Sequence, residues 1–258
     1  MELYALTDDV ATALNFEAAG VTRIFLDLET LGKDARQPGG NTVISRHRLN
    51  QVEHIRKQLT TADLIVRIDP WNPNTGQQVS RVLDQGANTV MLPMFRTVDE
   101  VKRVAELVKG KAALVPLCET PESLTLIKQL CSINEVTDLH VGLNDLHLAR
   151  NDRFMFEIFL EDSWASIFEQ ATKPIGFGGI STLHAGTVPG RLVMAEHAAK
   201  NSNGVILSRS FLASATNLNV AIEEMMKWRD ELLNDHSKLL ATQLELHSAI
   251  RSVVEGPK

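Results

Sequence analysis

The sequence predicts a closed (β/α)8 barrel of the TIM type, extended by a long C-terminal helix. Three observations predict it. Eight short apolar runs, each four to six residues long and rich in Val, Ile or Leu, recur along the chain as strands buried on both faces do. Amphipathic helical stretches separate them, and parallel neighbours need such crossovers. The first run is followed by Thr7-Asp8-Asp9 rather than by phosphate-binding glycines, which argues against a doubly wound open sheet. Eight βα units in 258 residues fit one barrel domain over 1–258.

The expected strands are 3–6, 23–28, 64–68, 89–93, 112–117, 138–141, 175–178 and 204–207. Helical periods fill the intervals. The first, 8–19, carries acidic residues in its opening turn, and 51–59 and 75–85 follow. A helix over 98–108 starts after Thr97, with Glu100 three residues on, a capping box. Another, over 121–130, starts after Thr120 with Pro121 at its first position. Then come 161–171, 189–200 and a long final stretch, 217–254. A barrel does not need so long a last helix, so 215–255 is expected to pack on a neighbouring subunit of a homo-oligomer. The polar stretch 29–50 is long for a loop inside a compact domain, and such loops are usually functional.

Composition narrows the function classes. There are 26 Lys+Arg against 32 Asp+Glu, a net charge of −6, which speaks against a nucleic-acid partner. The two cysteines, Cys118 and Cys131, form no CxxC, so neither a disulfide scaffold nor a zinc ribbon is expected. The start, MELYALTDDV, lacks a signal-peptide pattern, and no run approaches the length of a membrane span. A cytoplasmic protein acting on a small molecule is the expectation.

In such barrels the chemistry sits at the C-terminal ends of the strands. Those ends read Asp27-Leu28-Glu29, Arg67-Ile68-Asp69, Pro93, Glu119, Asn144-Asp145, Gly178-Gly179 and Ser208-Arg209. Glu119 and Asp145 follow adjacent strands. Two carboxylates so placed can hold one hard cation, Mg²⁺ or Mn²⁺, and leave its other positions to waters and a chelating substrate. Arg67 can grip a carboxylate through two parallel hydrogen bonds and stabilise enolate charge, so the set suits a 2-oxo acid. The expected counter-ions of Arg67 are Asp69 or Glu29, with Asp27 bracing the barrel. Glu29 is a candidate catalytic residue, set to orient a metal-bound water or to pair with Arg67. Lys33, Arg36, Arg46, His47 and Arg48 lie in the long polar loop, where Lys33 and Arg36 are candidates for binding an anionic tail. His47 is a candidate base, since imidazole titrates near neutral pH. Gly178 and Gly179 read as an anion-binding turn that Arg209 completes, or as a clearance for close approach. His140 and Cys118 read as core residues, His140 with its hydrogen bonds satisfied.

The pieces IFLDLE at 24–29, VRID at 66–69, GANTVMLPMFRTVDEV at 86–101, LVPLCETPESL at 114–124 and VGLNDLHL at 141–148 resemble the HpcH/HpaI aldolase and citrate lyase β-chain family. The resemblance implies the phosphoenolpyruvate/pyruvate barrel fold and metal-dependent making or breaking of a carbon–carbon bond next to a pyruvate or acyl-CoA enolate. It places the metal on Glu119 and Asp145 and the family arginine on Arg67. The chain also departs from the pattern. Thr30 stands where the pyruvate aldolases have a histidine, and Leu117 stands where they have a glutamine. The citrate-lyase branch is matched at Lys33 and Arg36 but not at the acid that follows its second-strand glutamate. The resulting expectation is a divalent-metal-dependent aldolase-type lyase acting on a 2-oxo acid or acyl substrate. Its alternatives are a condensing enzyme using the same enolate site and a silent barrel that only binds.

Overall fold

The computed structural model describes residues 1–32 and 47–256. Among the described residues eight strands run β1 (Glu2–Leu6), β2 (Arg23–Asp27), β3 (Asp63–Arg67), β4 (Thr89–Leu92), β5 (Ala113–Cys118), β6 (Leu139–Gly142), β7 (Ile175–Gly178) and β8 (Gly204–Leu207). All pairings are parallel, in the order β7-β6-β5-β4-β3-β2-β1-β8. The two ends of that sheet meet through a parallel bridge between Ile180 and Leu207, so the barrel is nearly closed. Every expected strand is present, with bounds within two residues of expectation.

The helices follow the same alternation. They are α1 (Val10–Ala18), α2 (Leu49–Arg56), α3 (Thr75–Asp84), α4 (Val98–Val108), α5 (Pro121–Leu124), α6 (Ile127–Leu130), α7 (Leu143–Arg150), α8 (Asp162–Gln170), α9 (Gly190–Ala199), α10 (Arg209–Ser214), α11 (Leu218–Asn234) and α12 (His236–Glu255). The Thr97 capping box forms as its spacing demands, with its hydroxyl and Glu100 exchanging bonds across the first turn. The helix expected over 121–130 is two short ones. The final stretch is also two helices, because Asp235 leaves the helix to cap α12 with its carboxylate. Both fold back on the chain's own α9, burying Ile222, Met225, Leu232, Leu246 and Ile250.

The apolar residues partition as a barrel requires. One large cluster lies between strands and helices, and a small one, Tyr4, Phe25, Ile65, Met91, Val115 and Leu117, fills the interior. At the N-terminal end the interior is closed by ions rather than apolar groups. Arg23 holds Asp138 through two bonds of 2.9 Å, and Tyr4 Oη donates to the same carboxylate at 3.0 Å. His140 lies one residue pair further up β6, fully buried, with neither ring nitrogen hydrogen-bonded among the described residues. This corrects the expectation of a satisfied core histidine. Burial pushes its pKa down to about 3, so the ring is neutral.

Glu17, at the end of α1, accepts the backbone N–H groups of Thr60, Thr61 and Ala62 at 2.7–2.8 Å and so pins the turn that leads into β3. Partial burial works against its charge, but these bonds and the Thr61 hydroxyl outweigh it and draw its pKa from 4.5 to about 2. The folded value lies below the unfolded one, so the stabilisation is present above about pH 4.5 and is lost as pH falls towards 2. Glu17→Gln is expected to lower stability by about 1 kcal/mol at pH 7, a figure that allows for solvent screening. Urea unfolding at pH 7 and pH 3 checks it, because the gap between variant and parent must narrow at the lower pH.

Candidate active site at the strand ends

The pairing of β2 with β3 sets Asp27 beside Arg67. Register alone therefore brings the two side chains together. Arg67 Nε and Nη2 grip the Asp27 carboxylate at 2.9 and 2.8 Å. Glu29 Oε2 stands 3.4 Å from Arg67 Nε, and the Glu29 N–H donates to Asp27 at 3.1 Å. Burial by itself would weaken the guanidinium's hold on its proton. The charge and hydrogen bonds of Asp27, with the charges of Glu29 and Glu119, outweigh burial and raise its pKa above the usual arginine value. The two-bond fork expected to hold a substrate thus already holds Asp27. Arg67 also lines the cavity at the strand ends.

Asp69 is not the partner of Arg67. It accepts the N–H groups of Thr30 and Leu31 at 2.7 and 2.9 Å and is held in place by Gln78. The acid at the end of β3 anchors the chain leaving β2, and the acid within β2 neutralises the arginine of β3.

Glu119 follows β5, and Asp145 lies in the first turn of α7. Both are buried, at 2% and 8% exposure, and both line one cavity of about 510 Å³ with Asp27, Arg67, Gly178 and Arg209. Glu119 Oε1 accepts the N–H of Met94 at 3.1 Å. Met94 has φ +54°, in the left-handed region that non-glycine residues seldom occupy, and that turn aims its N–H at the carboxylate. Gly142 ends β6 next to Glu119. A Cβ on it would lie 2.7 Å from Glu119 Oε2 and 3.0 Å from Glu119 Cβ, so glycine there keeps the space the carboxylate fills. Asp145 gains from the free N–H groups and positive dipole end of α7.

This donor set fits a hard divalent cation: two buried carboxylates share one cavity, whose remaining space is left to water and substrate oxygens. Among the described residues no group of three or more His, Cys, Asp or Glu could hold a metal, so the pair would bind it together with non-protein ligands.

The other sequence candidates fall in different places. Gly178, Gly179 and Arg209 line the cavity. Gly178 permits a close approach, since a Cβ there would meet His140 Nε2 at 3.0 Å and Ile206 Cβ at 3.2 Å. His47 does not line the cavity; its Nδ1 accepts the Asp27 N–H at 2.9 Å, and its Nε2 lies 3.9 Å from Asp8. Glu29 is fully buried behind Arg67 and does not line the cavity either. Lys33, Arg36 and Arg46 lie outside the described residues. Cys118 is fully buried, and burial followed by the Glu119 charge pushes its thiol pKa up, as a core residue requires.

Three features escaped the sequence reading. Helix α7 was read as strand end and loop, although it has an acid in its first turn, His147 and Arg150 in its last, and Asn151 in the left-handed conformation at its end. The cavity wall Phe154-Met155-Phe156 left no periodic signal, because it belongs to an irregular segment before a single 3-10 turn, Glu157–Leu160. The Met94 N–H carried no signal at all, since a backbone donor has no residue signature.

No curated protein matches the chain at a significant level. Residues 43–149 match the family model described as HpcH/HpaI aldolase/citrate lyase. Among solved structures, an HpcH/HpaI aldolase from Desulfitobacterium hafniense DCB-2 superposes with a TM-score of 0.63 at 12% identity, over 88% of this chain and 91% of that one. An HpcH/HpaI aldolase/citrate lyase family protein from Burkholderia cenocepacia J2315 gives 0.63 at 17% identity, over 87% and 95%. RipC from Yersinia pestis gives 0.58 at 12% identity, over 87% and 94%. At these identities the structures establish a shared barrel fold. The segment that matches the family model spans about two fifths of the chain and takes in β3, β4, β5, β6 and most of α7, the helix that carries Asp145.

Proposed function

We propose that this protein is a divalent-metal-dependent carbon–carbon lyase of the aldolase type, acting on a 2-oxo acid through a pyruvate-type enolate. The observation that carries the reading is the convergence of Glu119, Asp145 and Arg67 on one cavity at the strand ends. Glu119 and Asp145 would hold Mg²⁺ or Mn²⁺, which supplies Lewis acidity to the ketone and enolate oxygens. Met94 and Gly142 orient the Glu119 carboxylate. The outer edge of Arg67 receives the substrate carboxylate, and its fixed charge favours the enolate over the neutral ketone. Asp27 and Glu29 hold that guanidinium in place, and His47 steadies the end of β2, so these three act as positioning residues. Gly178, Gly179 and Arg209 bound the space for the rest of the substrate.

In the cleavage direction the hydroxyl of the substrate loses its proton and the adjacent carbon–carbon bond breaks. One fragment leaves as an aldehyde or ketone, and the enolate is protonated on carbon to the 2-oxo acid. Condensation is the same path reversed. The reading includes a cytoplasmic homo-oligomer. Among the described residues no helix is long and apolar enough to cross a membrane, and Leu233, Leu240 and Leu244 of the C-terminal helices are exposed.

The test is deuterium exchange into the methyl group of pyruvate in D₂O, followed by NMR with Mn²⁺ or Mg²⁺. Metal-dependent exchange is expected, falling by about 10²–10³ in Glu119→Gln, the scale for losing a group that stabilises developing charge. Absence of both exchange and metal binding would leave a barrel that only binds.

A further inference from the structure

We infer that the carbonyl partner joined to or released from the enolate in this cavity is an apolar one, an alkyl or aryl aldehyde or ketone, rather than an anionic or polyhydroxylated one. This rests on the aldolase reading above and names the substrate class of the same site. The cavity is about 510 Å³, far more than a three-carbon acid fills. Apart from Arg209 at the rim, its charged lining is gathered at Asp27, Arg67, Glu119 and Asp145, the end assigned to the 2-oxo acid. Much of the remaining wall is apolar: Phe154, Met155, Phe156, Val188, Val193 and Leu212. Phe154 and Met155 are only partly buried, so apolar surface is left open there for a ligand to cover.

That wall is rigid. Phe154 meets Phe156 edge-on with centroids 5.2 Å apart, Phe156 stacks on Phe159 at 5.1 Å, and Phe159 packs on Trp164 at 4.9 Å. Trp164 is in turn fixed by its indole N–H to Glu196 at 2.9 Å. A surface braced in this way is preformed, so an apolar chain gains its full burial without first ordering the wall. The polar groups on this side are small. Ser208 and Ser210 bond to each other at 2.7 Å, and the buried Ser181 hydroxyl, which has no hydrogen-bond partner among the described residues, can meet one hydroxyl but not several. Among the described lining residues the cations are Arg67, which is held by Asp27, and Arg209 at the exposed rim. A second carboxylate on the partner would therefore find a cation only at the solvent-exposed rim and meet hydrocarbon within the cavity.

The experiment measures binding of three 2-oxo acids to the full chain by calorimetry with Mn²⁺: pyruvate, 2-oxononanoate with an alkyl tail, and 2-oxoadipate with an anionic tail. Each buried methylene is worth about fourfold in affinity. 2-Oxononanoate is expected to bind at least tenfold tighter than either of the others, and Phe154→Ser is expected to erase most of that advantage. The parent comparison stands even if the variant fails to fold. Equal affinities, or tightest binding of 2-oxoadipate, would overturn the inference while leaving the aldolase reading intact, provided that pyruvate binds and exchanges deuterium. Failure of all three to bind, together with absence of exchange, would overturn both.

Discussion

Replacing Arg67 by alanine is expected to cost about 3–5 kcal/mol of folding stability, the usual consequence of removing one partner from a buried ion pair. The substitution takes the guanidinium from Asp27 and Glu29, which are 2% and 0% exposed, while their charges stay in the barrel mouth. Arg67→Lys keeps a positive charge but loses the planar fork that matches Asp27, so it is expected to recover only part of the loss. Urea unfolding of the three proteins checks the order. A stability of Arg67→Ala within 1 kcal/mol of the parent would mean that the cluster is not the brace described here. Deuterium exchange on Arg67→Lys then separates the two duties of this residue. If Arg67 only supports the barrel, exchange will follow stability. If it also receives the substrate carboxylate, exchange will fall further, because an ammonium cannot hold Asp27 and the substrate with the same geometry.

On the proposed binding of the metal by Glu119 and Asp145, Gly142→Ala is expected to remove most of the metal affinity while the fold survives. The backbone at Gly142, φ −88° and ψ 92°, is one that alanine adopts readily, so backbone strain is small. The added Cβ would nonetheless lie 2.7 Å from Glu119 Oε2 and 3.2 Å from Leu117 Cδ1. The crowding is expected to cost about 1–3 kcal/mol of stability. Relief comes from turning the Glu119 carboxylate away from the Met94 N–H. Since displacing a group that orients a metal ligand costs about 10–100-fold in affinity, Mn²⁺ binding should weaken by that factor in calorimetry. Circular dichroism confirms the fold independently. Unchanged Mn²⁺ affinity in a folded Gly142→Ala protein would show that the Glu119 carboxylate is not positioned by this contact.

Much of the barrel was legible because its signals are local. A doubly buried strand must be a short apolar run, and a crossover helix must carry an apolar stripe, so eight alternations could be read in order. The capping box at Thr97 was legible for the same reason, since its partners lie within one turn. Helix boundaries were less so where side-chain chemistry cut across the period, as at Asp235, which leaves a continuous-looking helical stretch to cap the next helix.

At the site, the sequence named the residues at the strand ends but not their partners. Glu119, Asp145 and Arg67 could be singled out as candidates because the chemistry of a barrel concentrates at one end of its strands and charged residues there stand out against apolar runs. The partner of Arg67 could not be read, because it depends on which residue of β2 stands level with it on β3. Strand register, not proximity along the chain, chose Asp27 over Asp69, 40 residues away instead of two. The cavity wall at Phe154–Phe156 and the Met94 N–H were likewise settled by packing and backbone conformation. By itself, then, the sequence determined the order of elements and the chemical types available at the barrel mouth, both of which depend on neighbouring residues alone. Only the tertiary structure decided which charge neutralises which and which donor aims a carboxylate. It also decided which apolar groups face the cavity, since these depend on contacts between segments far apart in the chain.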